Sequence, residues 1–151
     1  MPLLPKIHAA AGLVALLTIL ALQSLVALGE ASGYPAQIAA SRSTALWLVA
    51  LLLAPALALT GASGARLGRG WRAPLVATKT ARMKVVAALG LLVLVPLAIA
   101  LWFLASRGMI DGRFHLLTRL ETLAALTNVL LLGANLRDGL RLRRPAPRPA
   151  A

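Results

Sequence analysis

Four apolar stretches, each about as long as a bilayer's hydrocarbon core is thick, leave this chain few folds to choose from. A helix rises about 1.5 Å per residue and satisfies its own backbone hydrogen bonds, so about 20 apolar residues cross a core of about 30 Å. The stretches run from His8 to Leu28, from Thr44 to Ala62, from Val85 to Ala105 and from His115 to Asn135. They predict an all-α integral membrane protein: an antiparallel four-helix transmembrane bundle within residues 1–140, then a basic, Pro-rich cytoplasmic tail over 141–151. Composition agrees, with 60% hydrophobic and 13% charged residues, where soluble domains run near half and near a quarter. The first stretch follows Lys6 as a signal peptide's apolar region would, but it is too long for one and reads as a retained helix.

Direction follows from the basic residues, which cytoplasmic segments retain. Of 16 Lys and Arg, 12 fall on one side of the four spans: Lys6, the six from Arg66 to Lys84, and the five from Arg137 to Arg148. The other 4 are Arg42, Arg107, Arg113 and Arg119. Both termini are therefore expected in the cytoplasm. Trp47, Trp102, Phe103 and Phe114 would then lie at the outer ends of their spans, as an interfacial aromatic belt does.

The same topology accounts for a net charge of +12 without nucleic acid, because the basic residues are divided among three inner segments with few aromatics between them. Anionic lipid headgroups are the expected partners of that rim. The run from Gly61 to Gly70 is glycine-rich, but it follows an apolar helix rather than a strand, so it reads as a helix end and turn rather than a phosphate loop. The absence of cysteine removes disulfides, thiolate metal sites and thiol catalysis. Pro55 and Pro96 fall in the middle of the second and third spans and should break the hydrogen-bond ladder there and kink both helices.

Polar residues inside the spans carry what chemistry there is. Glu121, Asn128 and Asn135 are seven residues apart and so form one stripe along the fourth helix. An intramembrane carboxylate faces other helices or a cavity. Gln23 and Ser24 of the first span lie at a depth from which they could hydrogen-bond Glu121. The stripe has two readings, interhelical adhesion or a proton- or cation-binding path. Arg119, two positions from Glu121, points elsewhere and is expected to reach outward to headgroups.

His8 and His115 open opposite ends of their spans and cannot share an iron within one chain. A haem b would need His8 paired across a homodimer or with Met83 at the inner side, or His115 with Met109 at the outer, and a quinone head would sit at His8 and Met83. No spacing here supports a catalytic metal. The inner rim gathers Lys6, Lys79, Arg82, Lys84, Arg137 and Asp138. Asp138, the only acid in that layer, should pair with a nearby Arg or with His8 and help to end the fourth helix near Gly139.

Three segments, Pro5-Lys6-Ile7-His8, Lys79 to Met83 and Asn135-Leu136-Arg137-Asp138-Gly139-Leu140, together resemble a group of small four-span inner-membrane proteins of proteobacteria that have no assigned activity. The resemblance implies the same topology and a function at the inner surface, and carries over no catalytic residues. The leading expectation is a non-enzymatic accessory or scaffold subunit that packs against a larger membrane complex or itself. The alternatives are a haem- or quinone-binding protein using His8 and Met83, and a small proton-coupled transporter centred on Glu121.

Overall fold

The structure, a computed structural model, describes residues 3–69 and 74–142, with side chains through Leu140. The described residues are helical apart from short connections. Helix α1 spans Leu3–Ala31, α2 Pro35–Leu48, α3 Ala54–Gly68, α4 Pro74–Leu89, α5 Val95–Ser106 and α6 Gly112–Leu142. One π-helical turn, Val49–Leu53, joins α2 to α3, and another, Gly90–Leu94, joins α4 to α5. Four continuous helices result, each long and apolar enough to cross a membrane: Leu3–Ala31, Pro35–Gly68, Pro74–Ser106 and Gly112–Leu140. Each expected apolar stretch lies inside one of them. The basic tail lies outside the described residues beyond Leu142, as do Gly70 and Trp71.

The two prolines explain the π turns. Proline has no N–H to give the carbonyl four residues back, and its ring crowds that carbonyl. Here the chain widens just ahead of it: Ala54 N–H bonds the carbonyl of Val49, and Val95 N–H that of Gly90, each five residues back. Pro55 and Pro96 then start the next α-helical segments as N-terminal prolines do. The expected break in the ladder is thus a widened turn, at the same offset in both helices.

Connections are set by local chemistry. Gly33 and Gly108 have φ of +70° and +69°, a conformation that glycine reaches without strain, and they follow the ends of α1 and α5. Pro35 opens α2, where its missing N–H would have had no partner. Asp111 caps α6, its Oδ1 accepting the amides of Arg113 and Phe114 at 3.0 and 3.1 Å. Those amides, Phe114 first, hold the Asp111 carboxyl below the usual range.

α1 packs along α2, α3 and α6, while α4 and α5 lie against α6 and α5 also meets α2. Small residues let α1 and α3 approach: Gly12 faces Thr60, His8 lies over Gly64, and Ala15 and Ala56 share the main apolar cluster with Ile19, Leu22, Val86 and Leu132. A second cluster of Ile38, Leu101, Ala105 and Phe114 closes the end near Gly33 and Gly108. The helices are unequally covered. Of the most apolar window, 33% is buried in the first and fourth helices but only 11% in the third.

Two sequence expectations change here. The second helix starts at Pro35, not Thr44, because the polar run through Arg42 is helical and turns its polar side inward. Trp47 therefore lies about 18 Å along that helix. Gly61 to Gly68 is the end of α3 and Arg69 begins the turn, as the sequence suggests, whereas α6 runs past Gly139 to Leu142 instead of stopping there.

Candidate functional site

The interior face of α6 is read directly from its buried residues: Phe114, Thr118, Glu121, Ala125, Asn128, Leu132, Asn135 and Asp138. Steps alternate between four and three as far as Asn135, which is the heptad seam of a helix packed on near-parallel neighbours. Glu121, Asn128 and Asn135, the expected polar stripe, all lie on that seam. Arg119 is exposed on another side, as its offset requires.

At one end of the seam an arginine joins three helices. Arg42 of α2, with a side chain only 2% exposed, donates through Nη1 to Glu121 Oε2 of α6 and through Nη2 to Glu30 Oε1 of α1, the latter at 2.5 Å. Nη2 also donates to Thr118 Oγ1 at 2.8 Å, and that hydroxyl donates to Glu30 Oε1 at 3.2 Å. The Phe114 ring centroid lies 5.3 Å from the guanidinium carbon, within cation–π range. Phe114 is thus fully buried under Arg42 and is no part of an interfacial belt. Burying a guanidinium is tolerable only with carboxylate partners and good geometry, and this one has two.

The partner of Glu121 is therefore Arg42 and not the residues at matching depth on the first helix. Gln23 is half-buried on α1, and Ser24 is exposed and bonds the carbonyl of Leu20 in its own helix. Sequence reasoning missed Arg42 and Glu30 because each lies just outside an apolar stretch, Arg42 before Thr44 and Glu30 after Leu28. A signal was present: Ile38, Arg42 and Ala45 repeat at steps of four and three, which continues the helix backwards and turns Arg42 inward.

Further along the seam Asn128 Nδ2 reaches the carbonyl of Val86, and Asn135 Nδ2 that of Lys79, both at 3.5 Å on α4. The Oδ1 atoms of both asparagines are buried and have no hydrogen-bond partner among the described residues. At the far end Arg82 Nη1 donates to Asp138 Oδ2 at 2.6 Å, and Arg137 Nε lies 3.6 Å from Oδ1. Lys79 Nζ lies 3.0 Å from where a Cβ on Gly139 would stand. Asp138 thus pairs with arginine, while Lys6 and Lys84 are exposed.

His8 rests on α3. Its Nδ1 is 3.1 Å from the Thr60 carbonyl oxygen and 3.0 Å from Ser63 Oγ, whose hydroxyl donates to Leu59 at 2.6 Å. A carbonyl oxygen only accepts, so Nδ1 donates toward Thr60. Gly64 accommodates the ring, since a Cβ there would stand 3.0 Å from His8 Cε1. Met83 packs on the main apolar cluster, and His115 is exposed, edge-on to Phe114. Among the described residues no group of three His, Cys, Asp or Glu could hold a metal ion.

No family model, curated protein or solved structure matches this chain.

Proposed function

We propose that the protein is a non-enzymatic accessory or scaffold subunit of the bacterial inner membrane: an antiparallel four-helix bundle with both termini cytoplasmic, packed against a larger membrane complex or a second copy. The observation that carries this reading is that interior charged, amide and imidazole side chains bond from one helix to another, while buried Thr18, Ser41 and Thr60 bond carbonyls of their own helices. Arg42 ties α2 to α1 and α6, His8 ties α1 to α3, and Asn128, Asn135 and Asp138 tie α6 to α4. Polar groups used this way act as interhelical adhesion. The resemblance to small four-span inner-membrane proteins favours the same reading.

The least covered helix, Pro74–Ser106, is the face offered to a neighbour. A photocrosslinking residue at Leu92, 76% exposed on that helix, should capture a protein neighbour in native membranes, whereas one at Leu130, 73% exposed on α6, should capture lipid. Lipid adducts alone at both positions would reject the reading. Orientation has its own test. A reporter fused after Arg144 should be active only if it is a cytoplasmic reporter, and periplasmic activity there would reverse the arrangement.

A further inference from the structure

We propose that the Glu30–Arg42–Glu121 cluster is a proton-binding site in which two carboxylates share one exchangeable proton against a single guanidinium. The charge count comes first. Among the described residues Arg42 is the cation in ion-pair contact with either glutamate, so the three ionised groups sum to minus one. An uncompensated charge taken out of water is costly, and a bound proton removes it without requiring space. Uptake adds one proton from the aqueous phase to a carboxylate oxygen, forms one O–H bond and brings the cluster to neutrality. Nothing is oxidised or reduced.

Geometry leaves room for that bond. Glu30 Oε1 accepts from Arg42 and Thr118, and Glu121 Oε2 accepts from Arg42, while the second oxygen of each carboxylate has no hydrogen bond among the described residues. Arg42 itself is sealed, but the Glu30 and Glu121 side chains are 23% and 11% exposed, so the acids rather than the base meet the outside of the bundle. Arg42 Nε is a buried donor without an acceptor among the described residues.

Among the described residues the surroundings supply no competing charge. α5 meets this end of the bundle through Leu101 and Ala105, and its terminal Arg107 lies over the Phe103 ring at 3.9 Å. On α6, Phe114 covers the guanidinium, and Arg113, His115 and Arg119 are exposed. Asp111 is held by the α6 amides, and Tyr34 is exposed. A metal ion is the poorer ligand, because it needs several oxygens around it and here two carboxylates and one hydroxyl already serve a guanidinium. The proton belongs to the pair rather than to either residue.

The chain has four acidic side chains in all, which makes the test direct. Infrared spectra of the full chain in lipid nanodiscs, in H2O and in D2O, should show at neutral pH the carbonyl band of a protonated carboxylic acid that shifts on deuteration. Glu121→Gln and Glu30→Gln should each abolish that band, since one guanidinium then balances one carboxylate. Asp111→Asn, Asp138→Asn and His115→Gln should retain it. Absence of the band from the wild-type protein across the neutral range would overturn the proposal with no variant needed. Its persistence in both glutamine variants, or its replacement by a sodium-dependent carboxylate shift, would overturn it as well. The scaffold reading survives or fails separately.

Discussion

The two ends of α6 each hold a buried acid, and the surrounding charges differ in opposite senses. At Glu121 two carboxylates divide one guanidinium whose side chain is 2% exposed, and three helices meet there. At Asp138 one carboxylate faces Arg82 and Arg137, whose side chains are 26% and 63% exposed, with Lys79 close by. The first cluster is short of positive charge and closed around its cation; the second has an excess of it and is open. A buried acid on the seam therefore does not by itself define a role. What decides it is whether the cation can reach water or headgroups when the pairing fails. Arg82 and Arg137 can, and Arg42 cannot.

The largest effect should come from removing Arg42. Arg42→Leu leaves Glu30 and Glu121 beside each other without a cation, and losing one partner of a buried pair costs about 3–5 kcal/mol. Denaturation in mixed micelles should show a loss of that size together with poor membrane yield. A variant as stable as wild type would mean that this end is as open as the other. Next comes the backbone approach that brings the cluster together. A Cβ on Gly29 would stand 2.2 Å from Ser41 Oγ and 2.7 Å from Ser41 Cβ. These two residues precede Glu30 and Arg42 in the chain, so the close crossing is what brings the ion pair within reach. Gly29→Ala should cost about 1–3 kcal/mol by forcing α1 from α2. Adding Ser41→Gly should recover most of it, and absence of recovery would show that Ser41 is not what limits the approach.

That closeness also explains how much of the molecule was legible in its residues. Apolar length alone sets the number of helices, since twenty apolar residues have no other low-energy state in lipid. The seven-residue spacing of Glu121, Asn128 and Asn135 marks the inner face of α6, and all three are buried. Arg42 and Glu30 were illegible for a physical reason: they stand where hydropathy falls, and a window that ends at the last apolar residue assigns them to loops. Helical periodicity does not end there, and it carries Arg42 inward. The π turns were half legible. Proline requires a break in the ladder, but that the break takes the form of bonds five residues back at Ala54 and Val95 is not set by the proline alone.

Asp138 sets the scale at the open end. Asp138→Asn keeps an acceptor for Arg82 and removes one negative charge from a group rich in positive ones. Because Arg82 and Arg137 are partly solvated, the loss should be about 1 kcal/mol. A loss as large as that of Arg42→Leu would mean that Asp138, 3% exposed, holds its arginines as tightly as the glutamates hold theirs.

The smallest effect, and one of opposite sign, is expected at Gly139. A Cβ there would meet Lys79 Nζ at 3.0 Å, the same nominal crowding that Gly64 shows against His8 Cε1. The neighbours differ in what they can do about it. An ammonium at the end of four rotatable bonds swings aside at little cost, whereas the His8 ring is held by Thr60 and Ser63. Alanine is the better helix former by about 1 kcal/mol in a helix interior, and Gly139 lies within α6, which continues to Leu142. Gly139→Ala should therefore leave stability unchanged or raise it by up to about 1 kcal/mol, while Gly64→Ala should lower it. If Gly139→Ala destabilises instead, Lys79 is fixed in place by Asp138, and the open end of the bundle is as tightly built as the closed one.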